Sequence, residues 1–311
     1  MFKNRALILA KAESSYGVDP VPTTAANAIL TDLPEVDVVM KKLDRLNVKP
    51  FLGNRPAINI GEAIKISFST EVKGSGDSTP DTPPEIGVLF VGCGMLETVT
   101  PTTGPVVYTP QDDIEGPSIT IYFWQHDIQY VVTGCRGTWS LDGKAGEFGK
   151  IKWEFQGLYA GPADLTIPTD AVYNASIPPA LKSGLFTLGS FTGTIESFKL
   201  TYGNDIAKRP DVNAPTGFLA HFIKDRKVTA EIDPEATALS AFDPLTLLTD
   251  GTEQPLSITF GESVGNRMKL DCPKVVVDSS KFGEREGILT HAISLLVCPD
   301  AGQDDVTVTF N

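Results

Sequence analysis

Apolar and polar positions alternate with a period of two along much of the chain, the signature of β-strands with one buried face. Between Ser118 and Tyr159, Ile119, Ile121 and Phe123 alternate with Ser118, Thr120 and Tyr122, and Ile151, Trp153 and Phe155 alternate with Lys150, Lys152 and Glu154. The order returns from Ser257, where SITF leads to Cys272, a glycine-containing polar turn follows, and the run closes on GILTHAISLLV. Ser118, Cys135 and Gly149 then match Ser257, Cys272 and Gly287 at offsets of 139, 137 and 138 residues. Such steady spacing predicts one β-rich unit copied in tandem. His291 falls at the place of Trp153, where a core histidine with a satisfied ring is expected.

The flanking segments extend the parallel. VDVVM from Val36 reads as a strand, LDRLNVKPFLGNRPAINI as a long hairpin tip, and Ala63 to Val72 as a strand in which Ile64, Ile66 and Phe68 alternate with Lys65, Ser67 and Ser69. Ile86, Leu89, Phe90 and Cys93 stand at i, i+3, i+4 and i+7, which predicts a short amphipathic helix over 84–95. In the second half GTIESFKLTYG reads as a strand, NDIAKRPDVNAPTG as a polar tip and Lys227 to Asp233 as a strand, with AFDPLTLL in the helix position. Residues 97–117 read as a loop inserted in the first copy only. Residues 1–35, broken by Pro20 and Pro22, read as an extended arm, and residues 161–190 as a Pro-rich linker. The predicted fold is mainly β: tandem β-sandwich or half-barrel domains at 36–160 and 191–311, each with a short α-helix.

Composition narrows the function classes. The 311 residues are 41% hydrophobic, enough for substantial cores, and include 23 Pro and 28 Gly. Thirty-nine acids against 26 bases give a net charge of −13, and the basic doublets Lys41-Lys42 and Lys208-Arg209 are isolated, which argues against a nucleic-acid-binding surface. Cys93, Cys135, Cys272 and Cys298 form no CxxC pair and read as buried free thiols, in keeping with a reducing cytoplasm. The apolar stretch Ala6 to Ala10 is too short for a signal-peptide core or a membrane span.

Candidate chemistry is sparse. His126, His221 and His291 make no zinc-helix pair, and GxSxG, P-loop and dinucleotide glycine motifs are absent. The carboxylates Asp112, Asp113, Glu115, Asp304 and Asp305 fall in polar loops without EF-hand spacing. No enzyme, cofactor or metal site is expected.

The segment KAESSYGVDPVPTTAANAIL resembles the opening of tail tube proteins of long-tailed bacteriophages, which has the form E-x-x-Y-G-x-D-P-x-P; Glu13, Tyr16, Gly17, Asp19, Pro20 and Pro22 carry the match. The order of elements in both halves is similar to the tube domain of that family. The resemblance implies a structural virion protein, assembled in the host cytoplasm, whose inner strands join around a ring into one barrel. It implies that rings stack into a tube through which viral DNA passes unbound, and that tape-measure, tail terminator and distal tail proteins are partners. Two tube domains per chain would make the ring a homotrimer with pseudo-sixfold symmetry.

On that basis the polar face of the two corresponding strands, Lys65, Ser67, Ser69 and Glu71 with Lys227, Thr229, Glu231 and Asp233, is the expected lumen wall, acidic so that DNA slides past. The long tips are the expected ring-stacking elements, through Asn47, Lys49, Pro50, Asn54 and Arg55 in the first and Asn204, Lys208, Arg209, Asp211 and Asn213 in the second, with the N-terminal arm. The competing reading is a tandem β-sandwich binding module, an adhesin or carbohydrate binder, with Tyr122 and Trp124 as an exposed sugar platform.

Overall fold

The computed structural model describes residues 4–102, 104–113, 115–182, 185–214 and 216–311. Residues 103 and 114 of the expected insertion, 183 and 184 of the linker and 215 of the second tip lie outside the described residues. The elements in chain order begin with β1 (Ala6–Ala12), β2 (Ala28–Ile29), β3 (Glu35–Leu43), β4 (Ile58–Glu71), α1 (Gly87–Gly92), β5 (Met95–Val99), β6 (Val106–Pro110), β7 (Ile119–Gln125), β8 (Ile128–Lys144) and β9 (Lys150–Asp164). They continue with β10 (Thr187–Leu188), β11 (Ser197–Thr201), β12 (Asn204–Pro210), β13 (Phe218–Arg226), β14 (Thr229–Ile232), α2 (Pro244–Asp250), β15 (Gln254–Phe260), β16 (Met268–Arg285), β17 (Ile288–Cys298) and β18 (Thr307–Phe310).

One run of antiparallel pairing, β3-β4-β9-β8-β11-β14-β17-β16, crosses the whole molecule. Within it the order β3-β4-β9-β8 recurs as β11-β14-β17-β16, and β8 meets β11 through Ser197↔Lys144 to Thr201↔Ser140. Two long strands carry the chain between layers. One edge of β8 pairs with β9 from Ile128 to Asp142, with a register break between Thr133 and Arg136, while on the other edge its first part pairs with β7 and its second part with β11. Likewise β16 pairs first with β15 and β18 and then with β17, with a break between Val277 and Ser279. Bulges of this kind bend a strand and raise its twist. The second layer thus comprises β2-β1-β7 against β8, and β10-β15-β16-β18-β6-β5.

The main core lies between the layers, because the alternating apolar faces of both point inward, and a smaller cluster around Trp124 lies apart from it. Ile64, Ile66 and Phe68 of β4, Ile151, Trp153 and Phe155 of β9, and Ala230 and Ile232 of β14 are all buried. The helix α1 is shorter than the 84–95 expected, yet Ile86, Leu89, Phe90 and Cys93 are fully buried as the spacing requires. Phe90 fills the centre, with ring centroids 4.9 Å from Trp153, 5.1 Å from Tyr108 and 5.3 Å from Trp139. Asp243 caps α2, accepting from the N–H groups of Leu245 and Thr246, and Gly251 ends it at φ 61°.

Four expectations are corrected. Residues 6–12, expected in an extended arm, form strand β1, paired along its length with β7, because Leu7 to Ala10 are apolar enough to be buried from both sides. The segment 97–117 contains the hairpin β5–β6, whose Val106 and Tyr108 are buried in period two. The first half of the second tip, Asn204 to Pro210, is strand β12, paired with β13 from Asn204↔Arg226 to Pro210↔Phe218. Trp124 is buried against Leu7, Leu9, Ala28 and Ile167, so it offers no sugar platform. In addition, β17 pairs Leu295 with Ala230 and Val277, as β9 pairs Trp153 with Phe68 and Trp139. Leu295, not His291, therefore occupies the place of Trp153, the β16–β17 hairpin being the longer of the two; His291 is buried beside Phe282 at 5.0 Å.

Candidate functional site

The eight-stranded run turns one polar face away from the core, and the register sets its rows. One row reads Glu71, Lys150, Asp142, Lys199, Glu231, Ser294 and Ser279 across seven strands, and the next reads Ser69, Lys152, Ser140, Thr201 and Thr229. Ser67 stands opposite Glu154 and Lys65 opposite Gln156. The structure therefore brings the expected wall residues of both halves onto one face, except that Lys227 precedes β14 and Asp233 follows it.

The face carries charges of both signs, because β8, β9 and β11 interleave lysines with the carboxylates. Glu154 accepts from Lys65 at 2.7 Å and Lys152 at 3.1 Å, and the Lys65 contact holds its carboxyl below the usual range. Asp233 is occupied by the fold: one oxygen accepts from the N–H groups of Glu196 (2.9 Å) and Ser197 (2.7 Å), and the other lies 3.4 Å from Arg285. Toward this end the face is concave, a recess of about 930 Å³ lined by Asp142, Lys144, Lys150, Lys199, Glu231 and Lys281 among others.

The two tips differ. Asn47, Lys49, Pro50, Asn54 and Arg55 lie in the turn between β3 and β4, where the Lys49 ammonium donates to the Asn54 carbonyl at 3.3 Å, and where Leu46, Val48 and Leu52 are almost fully exposed. The β12–β13 hairpin instead folds back on the first half. Asn204 donates through Nδ2 to the carbonyls of Cys93 (2.7 Å) and Gly137 (2.9 Å), Lys208 donates to Gly61 O at 3.0 Å, and Arg209 pairs with Glu115 at 3.6 Å. Asp211 accepts from the N–H of Asn213 in the turn itself.

The N-terminal motif closes this joint, a role that period-two reading could not find because the partners lie more than a hundred residues away. The Glu13 carboxylate accepts from four donors: Gly17 N (2.7 Å), Gly134 N (2.7 Å), Ser118 Oγ (2.6 Å) and Thr120 Oγ1 (2.6 Å). Gly134 sits at the β8 bulge with φ +60°, and a Cβ there would lie 2.6 Å from the Tyr16 ring. Tyr16 Oη accepts from His221 N at 2.8 Å, its ring lies 5.2 Å from the Arg136 guanidinium, and burial pushes its hydroxyl up to about 12. Arg136 in turn donates to His221 O at 2.7 Å and to Gly116 O. Tyr122 donates its hydroxyl to Asp19. Motif, bulge and second hairpin are thus one hydrogen-bonded unit.

A family model described as phage tail tube protein matches residues 3–311, nearly the whole chain. The chain belongs to the phage tail tube protein family. No curated protein matches it. As a tail tube protein it is a structural component of the virion tail, not an enzyme, and it self-assembles into the tube. The buried Cys93 and Cys135 thiols, pushed up by burial, suit a packing role.

Proposed function

We propose that this tail tube protein assembles as a ring of three chains, each supplying two tandem tube domains, and that stacked rings form the conduit for viral DNA. The observation that carries the reading is the repeated order β3-β4-β9-β8 and β11-β14-β17-β16, joined edge to edge at β8 and β11. The two ends of that run, β3 and the part of β16 beyond Val276, each lack a second neighbour among the described residues. An unpaired edge templates association with another chain, and closure of three runs pairs both ends of each. In this arrangement the polar face, with Lys65, Ser67, Ser69, Glu71, Thr229 and Glu231, lines the lumen. The first tip, Asn47 to Arg55, reaches the next ring. Tape-measure, terminator and distal tail proteins are the partners expected to set length and close the ends.

Image averages of assembled rings test the stoichiometry: three chains support the reading, and six copies of the whole chain sink it. The lumen assignment is tested by Glu71→Lys with Glu231→Lys, which should give well-formed tubes that retain DNA or slow its ejection. Wild-type ejection would remove these residues from the wall.

A further inference from the structure

We infer that the stem of the β3–β4 hairpin is a clasp that docks on the next copy of the chain within the same ring, as the β12–β13 hairpin docks within its own chain. The inference rests on the ring reading above. Its template is the internal joint, where β11 adds to the edge of β8 and the hairpin that continues from it lands on the first half. Asn204 takes the carbonyls of Cys93 and Gly137, His221 O receives Arg136, Arg226 pairs with Asp112 at 3.3 Å, and Lys208 donates to Gly61 O at 3.0 Å.

The register gives the counterparts. Ile66 and Val228 are matched core residues, so the pairs Glu35↔Ser67 and Thr201↔Thr229 occupy the same place, and seven residues further on Lys42 corresponds to Lys208. Gly61, the acceptor for Lys208, corresponds by the same match to Ile223. Trp139 and Val277 are matched through their partners Trp153 and Leu295, so Arg136 corresponds to Lys274. Within one chain the first hairpin meets the half-exposed second one at Gly61, yet Val38, Val39, Leu43, Ile58 and Ile60 remain 38–51% exposed and lie on both faces of the ribbon. A two-stranded ribbon wet on both sides is marginal alone.

Charge points to the same partner. The first hairpin carries Lys41, Lys42, Arg45, Lys49 and Arg55 in a chain of net charge −13. The corresponding landing site on the second half pairs each of its cations with carboxylates: Lys274 is held between Glu253 (3.1 Å) and Asp300 (2.9 Å), Lys224 meets Asp205 (3.2 Å), Arg226 meets Asp305 (2.8 Å), and Asp304 adds a further acid bound to the Asp300 and Ala301 N–H groups. Complementary potentials of this kind orient association and select the partner. A copy of the chain therefore offers both halves of the contact.

The test places Lys42→Cys and Lys224→Cys, the exposed neighbour of Ile223, in a Cys298→Ser background, the other three cysteines being buried. Assembled protein is treated with a short bismaleimide. Cross-linked species on a denaturing gel should end at three chains and be missing from either single-cysteine control. Rings without cross-links would overturn the clasp while leaving the ring reading intact. A ladder beyond three chains would place the contact between rings and overturn it equally, and protein that never forms rings would remove the ring reading and the clasp together. As a second measurement, Lys42→Glu should raise the concentration needed for ring formation about tenfold with an unchanged subunit melting curve; an unchanged threshold counts against the clasp.

Discussion

Removing the Glu13 carboxylate should destabilise the folded subunit by about 2–4 kcal/mol. Its four donors fall into two kinds. The N–H groups of Gly17 and Gly134 are fixed by the backbone, the latter by a bulge at φ +60°, and cannot turn toward another acceptor. The Ser118 and Thr120 hydroxyls can rotate. A hydrogen bond to a charged group is worth about 1.5–3 kcal/mol, and a stranded buried donor costs about 1–3 kcal/mol. Glu13 is half-buried, so water replaces part of the loss in Glu13→Ala. Glu13→Gln is the sharper variant. Gly17 N and Ser118 Oγ converge on Oε2 while Gly134 N and Thr120 Oγ1 converge on Oε1, so either orientation of the amide sets its NH₂ against a fixed N–H. Urea unfolding of dilute, unassembled subunits, followed by tryptophan fluorescence, should give a lower midpoint at unchanged slope for both variants. A loss below about 0.5 kcal/mol in each would refute the view that this carboxylate ties the N-terminal segment to the bulge.

Three further predictions follow from the same structure. Phe90→Ala, which empties the centre of the core, should cost about 3–5 kcal/mol in calorimetry, whereas Phe90→Leu should cost less than half of that. Burial, with Lys208 and Arg136 nearby, lowers the His221 imidazole to about 4; the unfolded chain therefore binds the extra proton between about pH 6.5 and 4, so stability is full above that window and falls as pH drops through it. Melting curves of His221→Asn should lack up to about 3 kcal/mol of that dependence; parallel pH profiles would show the imidazole to be indifferent. Deleting Pro50 to Arg55 in the exposed first tip should leave rings that electron microscopy shows unstacked, and normal tubes would exclude the tip from the contact between rings.

Strands β4 and β9 and helix α1 were legible in the sequence because each presents one face to the core, so that Ile64, Ile66 and Phe68, or Ile86, Leu89 and Phe90, carry the period directly. Strand β1 was missed because its Leu7 to Ala10 are buried on both sides and show no alternation, and β12–β13 because both its faces are half-wet. The Glu13 cluster was visible only as a motif. Its partners Ser118, Gly134 and His221 reach it through tertiary folding, which no local spacing records. The matching of His291 to Trp153 slipped because landmarks in the turns, Gly149 and Gly287, bound hairpins of different length.

The row Glu71, Lys150, Asp142, Lys199, Glu231 bears on how a charged polymer could move past the proposed wall. Neighbouring strands are about 4.8 Å apart, so the sign of charge repeats roughly every 10 Å across the row. The potential of such an alternating pattern dies away within about 1.5 Å for each factor of e, far faster than the Debye length of about 8 Å that limits a wall of one sign. A phosphate a few ångströms off the surface would meet neither an attractive trough nor a repulsive hill, only a nearly flat landscape. Low friction in such a bore would come from cancellation at short range, and its dependence on salt would be correspondingly slight.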